Sequence, residues 1–515
     1  MPITIIAHLY PRVMCNRFRI VLFGLLLFAS SSVYAQKEAN TWYFGAKAGF
    51  DFSVGSPLTL SNSSMRGGYT AGIISDKTTG QLLFYSDGER VWNRNHRLMP
   101  HGDSLRGFRY VTQAALTFPV PDQPDRYYLF TMDTTADLRT KLFCSVVDMR
   151  LAGGLGDVVS ELKNQPIAGD FTGQLTAIPH TNGRDFWVLA RQWASNIFRV
   201  YLVDSRGVAL VHAAGLGPAQ PPNPQLIDVA ESYLKASPNG KKVAYVTSGQ
   251  PPRGIFGLLD FNAGTGQLSH YVDLGPLLAA GGLSFSPDNS KLYVQNYSSA
   301  PNGGGDRNII SQYDLAAGSD QAIAASGLSI IADNPDTNIS AAQQASAGIY
   351  ALQLGPDGRL YGNSGYVDAS APARPGQENL YVIQYPNRRG FACQVRYQTF
   401  DFGSGTASPG FPNFLQSYFD GLVPSISPVG ECAEAVLDVF PNPTAGTVRF
   451  QLPEACFTPY AVILYNAIGQ VVYRTQVDTA LSQTIDIGSL APGVYMIEAQ
   501  FSNRTMIKKL VKAPA

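Results

Sequence analysis

"GIISDKTTGQLLFYSDG", Gly72 to Gly88, is the stretch on which the fold turns. A short apolar run enters Asp76-Lys77-Thr78-Thr79-Gly80, and a second run, Leu82 to Tyr85, ends in aromatics before Asp87-Gly88. Two runs of strand length around such a break read as a hairpin, because Gly, Asn and Asp tolerate the positive φ that tight turns demand. The same beat returns at Ala115 ("ALTFPVPDQPDRYYLFTMD"), Leu175 ("LTAIPHTNGRDFWVLARQ") and Tyr233 ("YLKASPNGKKVAYVTSG"). It returns again at Leu283 ("LSFSPDNSKLYVQN") and Leu352 ("LQLGPDGRLYGNSG").

A third beat follows several copies. "NIFRVYLVDSRG", "GIFGLLDFNAGTGQL" and "NIISQYDLAAGSD" are apolar strands, each carrying an Asp before a turn. Copies spaced by roughly 45 to 70 residues, four strands to a unit and without helical segments, indicate a β-propeller. One four-stranded sheet cannot bury both of its faces, so the sheets stack radially. Six copies are legible. A seventh is expected from the two ends, "NTWYFGAKAGFDF" (Asn40 to Phe52) pairing with "GFPNFLQSYFDG" (Gly410 to Gly421), which removes free sheet edges. The expectation is an all-β chain: a propeller of about seven blades, or six, followed by a small Ig-like β-sandwich.

The composition suits this. The 515 residues are 45% hydrophobic and 15% charged, with 26 Tyr, 27 Phe, 50 Gly and 34 Pro, the mixture of short strands and turns. Lys+Arg and Asp+Glu are 38 each, which gives no footing for nucleic-acid binding through phosphates. Arg12, Arg17 and Arg19 precede the apolar run Ile20 to Phe28, and small residues end at Val33-Tyr34-Ala35. That order is an export signal over residues 1–35, cut before Gln36, with Met14 an equally good start. No later run is apolar enough for a transmembrane helix. Four cysteines follow the signal, and an oxidising compartment permits pairing. Cys432 and Cys456 both flank the opening strands of the tail and are the favoured disulfide. No metal-ligand spacing of Cys or His is present.

The propeller is expected over 36–423 and a Pro/Ser/Gly linker over 424–434. Beyond it, "AVLDVFPNP", "TVRFQLP", "YAVILYNAIGQVVYRTQV", "QTIDIGSLAPGVYMIEAQF" and "RTMIKKLVK" alternate apolar and polar residues, as strands of an antiparallel sandwich over 435–515 do. Pro441 and Pro443 cannot donate to a ladder and belong at an edge or crossing. Gly469 supplies a hairpin turn, and Gly493 a bend before Tyr495.

These residues closely resemble the carboxy-terminal sorting domain of the type IX (Por) secretion system. The resemblance rests on Pro441, Asn442, Pro443 and Gly446, on Asn466 to Gly469, on Leu490, Gly493 and Tyr495, and on Lys508, Lys509 and Val511. Asn466 stands where the family usually has Asp, and Ala513-Pro514-Ala515 extends past the usual basic end. The resemblance implies export through the inner membrane, recognition by the type IX machinery at the outer membrane, and delivery to the outer-membrane surface or the medium. The stretches "NTWYFGAKAGFDF", "GQLLFYSDGERVWNRNHRLMPHG" and "GFPNFLQSYF" resemble the amino-terminal propeller region of large secreted Bacteroidetes surface proteins, without the further modules those proteins often carry.

Chemistry is sparse in the sequence. Asp204, Asp260 and Asp314 suit either a structural Ca2+ or, more simply, the backbone of their own turns, and no cofactor is expected. His96, His101 and Asp103 share one loop region without a nucleophile beside them. Trp92, Trp187 and Trp193 are candidate aromatic platforms for a glycan or protein ligand, although aromatics in propeller strands more often pack between blades. The expected function is a non-enzymatic binding or adhesion scaffold. The alternative is a secreted hydrolase or lactonase-like enzyme with its site at the central channel.

Overall fold

Each quoted beat forms its hairpin. In the first, Gly72–Ser75 pairs antiparallel with Leu82–Ser86. Asp76 Oδ1 accepts the Thr78 and Thr79 N–H groups at 3.0 and 2.7 Å, and Gly80 turns the chain at φ 76°. Gly240 (φ 67°), Asn289 (φ 65°) and Gly358 (φ 77°) do the same at the later copies. The structure, a computed structural model, describes residues 36–514 except 135–138, 221–231, 248–253, 278–280, 300–305, 332–348, 365–376, 408–409, 423–436, 452–459, 478–481 and 501–504. The expected export signal, the linker and both Cys432 and Cys456 lie outside the described residues. Cys144 and Cys393 are buried free thiols.

The described strands from Thr41 to Asp401 form seven antiparallel blades. The first two are three-stranded, Thr41–Tyr43 to Leu58–Leu60 and Gly72–Ser75 to Val91–Asn93. The third and fourth share one strand, Gln165–Pro179. Its start pairs with Thr140–Asp148 and its end with Phe186–Gln192, with register shifts between the two halves. The fifth to seventh are four-stranded: Tyr233–Ala236 to Gln267–Asp273, Leu283–Phe285 to Leu328–Ser329, and Ile349–Leu354 to Val395–Asp401. First strands of neighbouring blades lie against one another from the first blade to the third and from the fourth to the seventh. The single described α-helix, Asp320–Ala325, capped by Ser319 Oγ, departs from the helix-free expectation and sits inside the sixth blade.

The ring closes by aromatic packing. Trp42 meets Tyr361 of the last blade at 5.8 Å, and Phe50 meets Phe400 and Phe402 at 4.9 and 5.4 Å. The expected pairing of 40–52 with 410–421 is corrected: Thr41–Tyr43 pairs instead with Gly49–Asp51. Among the described residues, pairing of this segment with the far end is confined to bridges from Ala46 and Lys47 to Thr406. Phe411 and Phe414 pack on the Trp42 ring at 5.5 and 5.9 Å.

The tail is a two-sheet sandwich with its own core. Asp438–Phe440, Thr447–Gln451 and Ser482–Asp486 form one sheet, while Val471–Val477, Tyr460–Tyr465, Gly493–Gln500 and Thr505–Lys512 form the other. Val448, Phe450, Leu464, Ile497 and Leu510 are fully buried between them, as the alternating pattern requires.

Candidate functional site

Among the described residues, side chains bridge the centre of the ring. Gln113, just before the third blade's first strand, donates from Nε2 to Leu234 O of the fifth blade at 2.9 Å. Its Oε1 accepts Leu234 N–H at 2.8 Å. Lys235 Nζ donates to Leu352 O and Gln353 Oε1 of the seventh blade, both at 2.7 Å. Asn413 donates from its backbone N–H to Ala71 O at 2.9 Å and from Nδ2 to Leu175 O at 3.1 Å, spanning the second and fourth blades. A bond that skips a blade crosses the interior of the ring, so Gln113, Lys235 and Asn413 reach into the channel, while Gln174 donates to Tyr233 O and Val246 O of the next blade, both at 2.9 Å. Gln113, Gln174, Lys235, Gln353 and Asn413 are all under 5% exposed. Their polar groups are spent on backbone that would otherwise be buried without partners. Burial lowers the Lys235 ammonium to about 7.

An open cavity of about 650 Å³ lies where the first strands of the second, third and fourth blades end, at Ser75, Pro119 and Pro179. Two short 3-10 turns border it, Lys37–Ala39 and Gln416–Phe419. Glu38 reaches it with Oε2 buried and without a hydrogen-bond partner in the protein, as is the Tyr418 hydroxyl. Burial raises the Glu38 carboxyl above its ordinary range, pushes Tyr127 up to about 12 and lifts Tyr418 well above a free phenol. Two of the three cations at the cavity are committed. Arg126 holds Asp148 at 2.8 Å and Gln123 at 3.0 Å, and Arg184 holds Asp185 at 3.0 Å with Asp122 at 3.5 Å.

The expected ligand aromatics stand elsewhere. Trp92 is 5% exposed and stacks on Tyr85 at 5.4 Å. Trp187 is 3% exposed, stacks on His180 at 5.2 Å and donates from Nε1 to Ala263 O at 2.8 Å. Gly266, at φ 75°, lies under its ring, where a Cβ would come within 2.6 Å. Trp193 is half-buried, and its backbone N–H donates to Asp170 O at 2.8 Å. His96 and His101 serve different partners: His96 meets Asn62 at 3.0 Å, and His101 meets Asp157 at 2.9 Å. Asp204 holds Arg206, Asp260 holds Lys242 and His270, and Asp314 holds Lys291. Among the described residues no group of three or more His, Cys, Asp or Glu is placed to hold a metal ion.

In the tail, the two prolines frame a side chain that imitates a strand. Asn442 Nδ2 donates to Lys509 O at 2.7 Å, and its Oδ1 accepts Val511 N–H at 2.9 Å. Thr444 continues the clasp, its N–H donating to Val511 O at 2.9 Å and its O accepting Ala513 N–H at 2.8 Å. The open side of the last strand is thereby covered by a segment in which Pro441 and Pro443 cannot donate. Gly469 turns at φ 81°. Gly446 and Gly493 adopt no positive φ and have open space where a Cβ would stand, and Gly493 opens the strand Gly493–Gln500. Tyr495 donates to Ala491 O at 2.7 Å. Lys508 is half-buried and Lys509 exposed, whereas Lys512, which the motif reading passed over, is 4% exposed and donates to Ala445 O at 2.8 Å.

Residues 438–513 match the family of the secretion system C-terminal sorting domain. No curated protein sequence matches the chain. Among solved structures, the chain is similar to a quinoprotein alcohol dehydrogenase-like protein from Bacteroides thetaiotaomicron, with 14% identity over 72% of this chain and 78% of that one, TM-score 0.37. It is also similar to the β-propeller domain of the trilobed protease from Pyrococcus furiosus, with 8% identity over 77% of this chain and 95% of that one, TM-score 0.27. Among the described residues no helix is long and apolar enough to cross a membrane. The blade order and the matched tail together make this chain a β-propeller protein with a type IX secretion sorting domain over 438–513, exported to the cell surface or the extracellular space.

Proposed function

We propose that the propeller is a non-enzymatic binding or adhesion scaffold of a Bacteroidetes cell surface, and that its ligand is a glycan or a protein. In this reading residues 1–35 are the export signal, 36–423 the propeller, 424–434 a linker and 435–515 the address that the type IX machinery reads. One observation carries it. The channel, where a hydrolase or lactonase-like enzyme of this shape would keep its reacting groups, is crossed by Gln113 and Lys235, both bonded to backbone of a blade beyond their neighbour. Those side chains would have to leave buried carbonyls unpartnered to admit a substrate. The open cavity beside Glu38 and Tyr418 is of the size that small ligands and peptide segments occupy, on the order of 300–1,000 Å³. The test is an array of glycans and extracellular matrix proteins probed with the secreted, full-length chain. Reproducible capture by one ligand class is the expected result, and binding to none of them counts against the scaffold reading.

A further inference from the structure

We propose that the cavity bordered by Glu38 and Tyr418 receives a lysine or arginine side chain of a protein ligand, with the cationic head at Glu38. The inference rests on the scaffold reading and names the ligand class for it. The first argument is charge. Glu38, Asp76, Asp122 and Asp125 all line the cavity, Asp122 already facing Arg184 at 3.5 Å. Of the three cations there, Arg126 and Arg184 are held by Asp148 and Asp185, so Lys77 is the one not tied by an ion pair among the described contacts. A phosphate or carboxylate ligand would meet this surplus of negative charge, whereas an ammonium or guanidinium is drawn to it.

The second argument is a pair of unpartnered polar groups buried just behind the cavity's lining. Tyr418 is 7% exposed, and its hydroxyl, like Glu38 Oε2, makes no hydrogen bond inside the protein. A cation with several N–H donors meets the carboxylate, and a charge-assisted bond there is stronger than a neutral one. Burial raises the Glu38 carboxyl, and an adjacent cation opposes that shift. A metal ion fits poorly, because the described carboxylates do not converge as a ligand set.

The third argument is shape. Pro119, Pro121, Pro124, Pro179 and Phe186 line the same cavity. Rigid apolar walls beside a polar end suit a side chain with an apolar stem and a charged head. The cavity's volume also leaves room for flanking backbone, which favours a peptide over a free amine.

The experiment is calorimetric titration of the full-length secreted protein with three capped tripeptides that differ only in the central residue: arginine, lysine or glutamine. The arginine and lysine peptides are expected to bind and the glutamine peptide to bind at least tenfold more weakly. Glu38→Gln should weaken the cationic peptides about tenfold, and Lys77→Gln should strengthen them, with thermal unfolding of both variants confirming an unchanged fold. Equal binding of all three peptides, or unchanged affinity in Glu38→Gln, would overturn the assignment. If Glu38→Gln leaves a ligand found on the array bound as tightly as before, the scaffold reading survives and this site does not. If the array yields no ligand but the cationic peptides bind, the site stands alone.

Discussion

Replacing Gln113 by Ala strikes the bonds that tie the third blade to the fifth across the ring. The side chain is 1% exposed and makes two short bonds to Leu234, at 2.9 and 2.8 Å, with a weaker one from Leu175 N–H at 3.4 Å. Truncation leaves the Leu234 N–H and C=O buried without partners. Each such group costs roughly 1–3 kcal/mol, and the 3.4 Å contact adds little. The expected loss is therefore about 2–6 kcal/mol. All four tryptophans, Trp42, Trp92, Trp187 and Trp193, lie in the propeller, so urea unfolding followed by tryptophan fluorescence reports that unit without the tail. Gln81→Ala, at an exposed hairpin position, is the matched control and should stay within about 0.5 kcal/mol of the parent. A loss below about 1 kcal/mol for Gln113→Ala would refute the reasoning, because it would mean that Leu234 and Gln113 do not meet across a closed ring.

Asn442→Ala removes both bonds to the last strand of the tail, and a loss of about 1–3 kcal/mol in the sandwich is expected. Hydrogen exchange at the Val511 amide should accelerate, and less protein should reach the surface; unchanged Val511 protection would contradict the clasp. Lys235 gives a pH signature. Burial lowers its folded-state pKa to about 7, against roughly 10.4 unfolded. The unfolded chain then binds more protons between those values, so stability rises with pH across that window. The difference between the parent and Lys235→Met should move in the parent's favour from pH 7 to pH 10, measured by urea midpoints. A pH-independent difference would show that Lys235 is not buried in the channel.

The hairpins were legible because their turns are written in residue types. Asp76 and Gly80, or Asn239 and Gly240, have few other conformations to offer between two apolar runs. The tail was legible for a similar reason, since alternation over short strands admits one inward face. The shared strand Gln165–Pro179 was not, because its glycines and prolines look like loop and only the neighbouring strands show that it serves two blades. The closing segment misled in the other direction. Phe411 and Phe414 have strand-like composition, yet they are used as wedges against Trp42. Site residues were harder still. Gln113, Lys235 and Asn413 bond backbone far away in the chain, so no local pattern marks them. Glu38 and Tyr418 become neighbours of one cavity only when both ends of the propeller meet. Trp92 and Trp187 attracted attention by type and turn out to be buried, and Asn442 alone carried a local signal, a carboxamide framed by two prolines.

Export is where the account is most directly exposed. The chain lacking residues 435–515, expressed with its own leader in a host with a working type IX system, should be found folded in the periplasm, by fractionation and tryptophan fluorescence. Arrival of that shortened chain at the cell surface or in the medium would contradict the role given to the tail.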